Sequence, residues 1–215
     1  AYSVDGANWS AMTGLSSVSA YVGVTSGAIS ATTYYVTVAG STATTVAYYS
    51  TNGTSWTAMT GLQSGTWASV AYGNSRFVAI GNGTVTAYSA NGTSWSNGGA
   101  VASANYVAIV YGTGPARFVA ITGGTVLSQA TAYSIDGAAW TAGALPQTAY
   151  WTSIAWGHGR FVAVAQGGTA TAYSTDGVSW SAGTLPALAY WTSIAYGNGR
   201  YVAVAQGSTS TAYSL

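Results

Sequence analysis

Few side chains in this sequence can move a proton or hold a metal. The acids are Asp5, Asp136 and Asp176, the one histidine is His158, and there is no cysteine, lysine or glutamate. Hydrolysis of a glycoside needs two carboxylates flanking the scissile bond, or a tyrosine nucleophile helped by an acid. All three aspartates precede a glycine at the same turn position, and Asn52 and Asn91 take that position in two other copies of the turn. Asparagine forms such a turn as well as aspartate does, but it cannot serve as an acid or base. The aspartates are therefore read as turn formers, too far apart in separate copies to act as a pair. His158 stands between two glycines, where other copies carry Asn74 and Asn198. It too reads as a hairpin residue, since His and Asn both tolerate left-handed backbone. A lone histidine with neither Cys nor a nearby acid makes a poor metal or triad centre. The glycines fall in hairpins and not in a phosphate-binding loop. No catalytic residue, metal or cofactor is expected.

The aromatic residues and amides offer a different chemistry. Aligning the first strand of each repeat places Tyr21, Trp67, Tyr106, Trp151 and Trp191 at one position. Tyr150 and Tyr190 precede two of these tryptophans, and Asn82, Gln166 and Gln206 end second strands on the same side. Aromatic platforms beside amides suit neutral sugars, which offer apolar C–H faces and hydroxyls. The competing reading is packing between repeats. Trp9, Trp56, Trp95, Trp140 and Trp180 lie on outer strands and are assigned to packing. Arg76, Arg117, Arg160 and Arg200 each open a second strand. They could ring an anion. Because the position recurs with the framework, stacking on a neighbouring aromatic, with the fork on turn carbonyls, is the favoured role.

The elements that position these residues follow from a repeat. Tyr-Ser pairs begin at Tyr2, Tyr49, Tyr88, Tyr133, Tyr173 and Tyr213, with spacings of 47, 39, 45, 40 and 40 residues. A tryptophan follows seven residues after each of the first five tyrosines. A period near 40 with strand-like content points to a propeller rather than a helical solenoid. In the clearest copy the strands read as Trp151 to Trp156, Arg160 to Ala165, Thr169 to Ser174, and Val178 to about Ala182. Gly-His-Gly at 157–159 and Gly-Asn-Gly at 197–199 are hairpin turns. Pro146 and Pro186 fall between copies, where a missing N–H does no harm, and the connection at 182–190 reads as a variable loop. The expected fold is all-β: a single five-bladed β-propeller with four-stranded antiparallel blades at about 18–58, 63–97, 101–142, 148–182 and 188–215. Residues 4–11 supply the strand that the last blade lacks, so the N-terminal strand closes the ring.

Composition limits the partners. Only seven residues are charged, and the net charge is +1. That gives no basic stripe for nucleic acid and no polybasic anchor for a membrane. No apolar run approaches the ~20 residues of a membrane span, so membrane insertion is not expected. A surface without lysine or glutamate has little electrostatic protection against association, and oligomers are expected to be accessible. The chain opens on Ala1, as a processed chain or a fragment would. Asn-x-Ser/Thr sequons begin at Asn8, Asn52, Asn82 and Asn91, most of them explained by Asn-Gly turns.

Tyr-Ser-Thr-Asp-Gly-Val-Ser-Trp at 173–180 resembles a shortened Asp-box of the BNR-like, sialidase-like propellers. The stretch Trp-Thr-Ser-Ile-Ala-Tyr-Gly-Asn-Gly-Arg-Tyr-Val-Ala-Val at 191–204 is similar to repeats of bacteriophage tail-fibre and other virion proteins. The resemblance implies a propeller on a virion or cell surface. The expected function is non-enzymatic recognition of a cell-surface glycan through repeated sites, with other virion or surface proteins as alternative partners. A purely structural shell or fibre component is the second reading, and a degenerate sialidase-like hydrolase the third.

Overall fold

The computed structural model describes residues 1–17, 20–40 and 44–214, and among them there is no helix. Val18 and Leu215, the outer bounds expected for the first and last repeat, lie outside the described residues. β1 (Tyr21–Ile29), β2 (Thr32–Ala39), β3 (Ala47–Ser50) and β4 (Thr57–Ala58) form one antiparallel sheet in that order. β5 (Trp67–Gly73), β6 (Arg76–Gly81), β7 (Thr86–Ser89) and β8 (Ser96–Asn97) form a second. The third sheet runs in sequence order through β9 (Tyr106–Gly112), β10 (Arg117–Thr122), β11 (Ser128–Ser134), β12 (Thr141–Gly157), β13 (Arg160–Ser174), β14 (Ser181–Gly197), β15 (Arg200–Gln206) and β16 (Thr211–Ser214).

The long strands of the third sheet change partners along their length. Residues 141–144 of β12 pair with β11, and residues 150–157 pair with β13. β13 turns at Gly167, φ 73°, so its first half lies on β12 and its second half on β14. The four-strand pattern of the small sheets thus recurs here with the strand ends fused. Ser128 opposite Ala149, and Gly168 opposite Ala189, make the junctions. The bridges Thr44 to Gly65 and Gly83 to Ala104 stand at the corresponding places of the smaller sheets. One backbone bridge therefore ties each repeat to the next.

Two expectations about strand and loop bounds change. The strands read at Arg160 to Ala165 and Thr169 to Ser174 are one continuous element, because the junction bridge extends the ladder through the turn. The stretch 182–190 is extended strand and not loop; Pro146 and Pro186 sit in its unpaired portions and their counterparts. The hairpin readings hold: His158 and Gly159 have φ of 43° and 72°, and Asn198 and Gly199 have 47° and 78°. Two successive left-handed residues match the twist of the flanking strands.

Residues 4–11 are not a single strand on the last repeat. Tyr2 and Ser10 bridge each other, closing a hairpin around Asp5 and Gly6, and Thr13 bridges in parallel to Ser55 of the first repeat. The third sheet ends at β16.

The apolar core lies between successive repeats. Val36 and Val38 of β2 pack with Phe77, Trp67 and Trp95 of the second repeat. Val78 and Ile80 pack with Phe118, Tyr106 and Trp140 of the third. Val119 and Ile121 pack with Phe161, Trp151 and Trp180 of the fourth. Val164 packs with Tyr201 and Trp191 of the fifth. Val36, Val78 and Val119 are fully buried, whereas Val202 at the same place in the last repeat is 45% exposed. Substituting Val78→Ala should therefore cost about 2 kcal/mol, from two lost methyls and the cavity left behind. Val202→Ala should cost less than about 0.5 kcal/mol. Urea unfolding of the two variants measures the difference.

Candidate functional site

The expected aromatic position does not form a platform. Trp67, Tyr106, Trp151 and Trp191 are at most 1% exposed. The Trp67 indole donates to Thr44 O at 3.2 Å and the Trp191 indole to Ala187 O at 3.1 Å. Burial pushes the Tyr106 phenol up to about 12. Tyr21 is half-buried, donates its hydroxyl to Ser16 O at 3.1 Å and meets Tyr48 edge-on. These large rings are covered because the first strand of each repeat is wedged between its neighbours, and burying a large aromatic there is the main return of the packing.

The residues just outside that position come together instead. Tyr150 is opposite Gln166, Gln166 is opposite Tyr190, and Tyr190 is opposite Gln206. Residues directly opposed in an antiparallel ladder put their side chains on the same face, about 5 Å apart. The four therefore make one row across β12, β13, β14 and β15, with the two phenol rings about 10 Å apart. Tyr150 is 38% and Tyr190 63% exposed. Gln206 is exposed and Gln166 half-buried. Gln166 Nε2 donates to Gly124 O at 2.8 Å, which fixes the direction of the amide. Beside the row lies a depression of about 200 Å³ lined by Leu188, Tyr190, Gln206 and Gly167. Asn82 stands outside the row, just past the end of β6, where its backbone N–H donates to Thr66 O and its Oδ1 is enclosed. The sequence supplies all four row members but not their register, and it was register that joined them.

The row carries no formal charge. An edge of phenol rings and amides can stack on the C–H face of a sugar and exchange hydrogen bonds with its hydroxyls.

The acids are committed elsewhere. Asp136 Oδ1 accepts from the Ala138 and Ala139 amides at 2.8 and 3.0 Å, and from Ser134 Oγ at 3.1 Å. Asp176 does the same with Val178, Ser179 and Ser174, and Asp5 with Ala7, Asn8 and Ser3. Asn52 and Asn91 accept the corresponding backbone bonds in their turns. The Ala139 amide, helped by Ala138, Ser134 and Arg76, holds the Asp136 carboxyl below its usual range against an opposing effect of burial. For Asp176 burial is the largest influence and pushes upward, yet the Val178 and Ser179 amides, Ser174 and Arg117 together hold it low. Asp5 is lowered mainly by the Asn8 amide.

The arginines stack. Arg76, Arg117, Arg160 and Arg200 lie over Tyr88, Tyr133, Tyr173 and Tyr213 at 5.2, 5.2, 5.6 and 5.3 Å. Arg76 Nη1 also donates to Asp136 O, in the turn of the following repeat, at 2.9 Å. Stacking, the first part of the favoured role, is present at all four, and the bond to a turn carbonyl at Arg76. His158 is exposed in its hairpin turn.

No family model and no curated protein matches the chain. Solved structures do. A streptogramin B lyase is 12% identical, with a TM-score of 0.72 over 86% of this chain and 63% of that one. YCF48 bound to a D1 peptide is 15% identical, with a TM-score of 0.61 over 84% and 59%. The GH74 enzyme of Niastella koreensis is 20% identical, with a TM-score of 0.59 over 84% and 28%. The chain spans about three fifths of the lyase and of YCF48. Such neighbours are β-propeller-like proteins, and the all-β antiparallel architecture of this chain is of that class. At these identities the likeness is one of fold.

The turn geometry gives a test. A carboxyl with a depressed folded pKa contributes stability above its unfolded pKa, about 3.9, and that stability is lost as the pH falls through the folded value. Asp136→Asn and Asp176→Asn, which keep the side-chain oxygen, should be close to neutral at pH 7 and flatten the loss of stability in acid. Asp136→Ala should cost about 1–2 kcal/mol at pH 7 by leaving two amides without their acceptor. Thermal unfolding across pH distinguishes these outcomes.

Proposed function

We propose that the chain is a non-catalytic virion or cell-surface binding module of five propeller repeats that recognises a neutral cell-surface glycan. The last repeat lacks an outer strand, and the N-terminal Ser-x-Asp-Gly hairpin has the sequence that fills that place in the other repeats. The observation that carries the binding reading is the uncharged row Tyr150–Gln166–Tyr190–Gln206, exposed beside a shallow apolar depression. Its chemistry fits a pyranose better than an anion or a nucleic acid, because a net charge of +1 gives no electrostatic attraction to draw a polyanion. The Ser-Asp side-chain clasp at 174–176 supports kinship with the Asp-box propellers, and the repeat at 191–204 supports a virion setting of the tail-fibre kind. Enzymes stand among the solved neighbours, yet each aspartate of this chain is held by its own turn, which disfavours a paired-carboxylate hydrolase. One row makes a weak site, and display in many copies would raise overall strength through avidity.

A glycan array followed by titration tests this reading. Tyr190→Ala and Tyr150→Ala remove exposed rings and should leave folding intact while weakening binding about tenfold each, the loss of one stacking surface. Binding that is indifferent to both, or turnover of a glycoside by the wild-type chain, would overturn it.

A further inference from the structure

The interfaces between repeats follow one recipe, and the last of them is missing a part. The first three each hold an indole from the outer strand of the following repeat: Trp95, Trp140 and Trp180. The cluster between the fourth and fifth repeats has the counterparts of the other members, Val164, Leu185, Tyr201 and Ala203, but no outer-strand tryptophan. In its place is a cavity of about 400 Å³ lined by Arg160, Val162, Leu185, Tyr201, Ala203 and Tyr213. The turn that belongs there is also identifiable. Gly137 of one repeat packs on Val78 of the repeat before it, and Arg76 donates to the Asp136 carbonyl of the same turn. Gly177 packs likewise on Val119 and Arg117. Val162 and Arg160 occupy the corresponding positions in the fourth repeat, and there Arg160 is exposed.

The chain carries one unused copy of the missing part. Ser3-Val4-Asp5-Gly6-Ala7-Asn8-Trp9 has the same serine, aspartate, glycine and tryptophan spacing as 174–180, and its turn is already folded. Trp9 is 65% exposed, and Val4 is almost wholly so. The hairpin is attached to the first repeat through the Thr13 to Ser55 bridge and the bond from Trp56 Nε1 to Met12 Sδ. That repeat has a complementary opening, a cavity of about 650 Å³ lined by Trp9, Met12, Val22, Val24, Tyr35 and Trp56. Val24 is 64% exposed there, while its counterparts Val70, Ile109, Ile154 and Ile194 are buried. Val202 and Val204 on the last repeat are the surface that covers this position elsewhere in the array.

We propose that copies of this chain associate head to tail, with the Ser3–Trp9 turn of one copy seated between the fourth and fifth repeats of the next. Ser10 then pairs with Tyr213 of β16 in place of its own Tyr2. The exchange is nearly neutral, since Ala-Tyr-Ser occurs at both places and the equivalent pairs Tyr173 to Ser181 and Tyr133 to Thr141 are present. It is the strand substitution that makes swapping a low-cost route to assembly. A second copy is favoured over the chain's own N-terminus because the angle between repeats is set by interfaces whose valines and isoleucines are already fully buried. Close-packed interfaces of that kind do not bend far enough to bring separate ends together. The streptogramin B lyase is matched over only 63% of its own length. The inference rests on the five-repeat count and not on glycan binding.

Because the chain has no cysteine, engineered thiols report the geometry directly. Val4→Cys and His158→Cys are surface substitutions at the counterparts of Ile135 and Asn74, and Asn74 donates to Ile135 O at 3.4 Å. Mixing the two single variants under mild oxidation should give covalent dimers, and the double variant should give ladders of linked chains. Sedimentation velocity of the wild type should show association that rises with concentration, and Trp9→Ala should weaken it about tenfold, as loss of a buried aromatic anchor does. A double variant that cross-links only within one chain would overturn the inference in favour of self-closure. A wild type that stays monomeric without cross-linking would overturn it outright. Either failure leaves the glycan titration of Tyr190→Ala unaffected.

Discussion

Everything in this molecule depends on burying aromatic and branched side chains between one small sheet and the next. A four-stranded sheet of such short strands cannot exclude water from its own faces. It becomes stable when both faces meet a neighbour. Val36, Val78 and Val119 disappear completely into these contacts, and so do Trp67, Trp151 and Trp191. The backbone bridge at each junction, such as Gly168 to Ala189, fixes where the next sheet begins. Packing and bridging together set the angle of the array, and that angle decides which surfaces are left uncovered.

Charge has a narrow role. With only seven formal charges, the polar surface is made mostly of hydroxyls, amides and backbone. The few charges serve local geometry. Each aspartate gathers two amides and a serine hydroxyl, and asparagine does much the same where it replaces aspartate. Each arginine lies on the tyrosine of its own repeat. In the second repeat Arg76 also reaches the carbonyl of the next turn, so one side chain connects the interior of a sheet to its neighbour. Electrostatics here tunes joints between repeats and offers no field to steer a charged ligand.

The candidate site shows what sequence reading could and could not reach. The turn roles of Asp136, Asp176 and His158 were legible, because replacement by asparagine at the same repeat position reveals a backbone role. The stacking of the arginines was legible because their position recurs with the framework. The assignment of Trp67, Trp151 and Trp191 to a sugar platform was not supported, since a repeated aromatic looks alike whether it faces solvent or the adjacent sheet. Their neighbours Tyr150 and Tyr190, with Gln166 and Gln206, were in view as separate residues. What the sequence lacked was the register that sets them opposite one another.

The repeat period, the alternation of branched residues and the Asn-Gly and Asp-Gly turns determined the strands, the antiparallel hairpins and the all-β class. These are local properties, fixed by φ/ψ preference and by which residues fit a pleated surface. The tertiary structure alone decided that β12, β13 and β14 run unbroken through the junctions, that the N-terminal residues fold back as a hairpin on Tyr2, and that four polar and aromatic side chains share an exposed row. Those outcomes depend on long-range pairing and on which faces find a partner. A chain whose repeats share one pattern cannot encode that difference residue by residue, because equivalent valines are buried or exposed according only to whether another sheet lies beyond them.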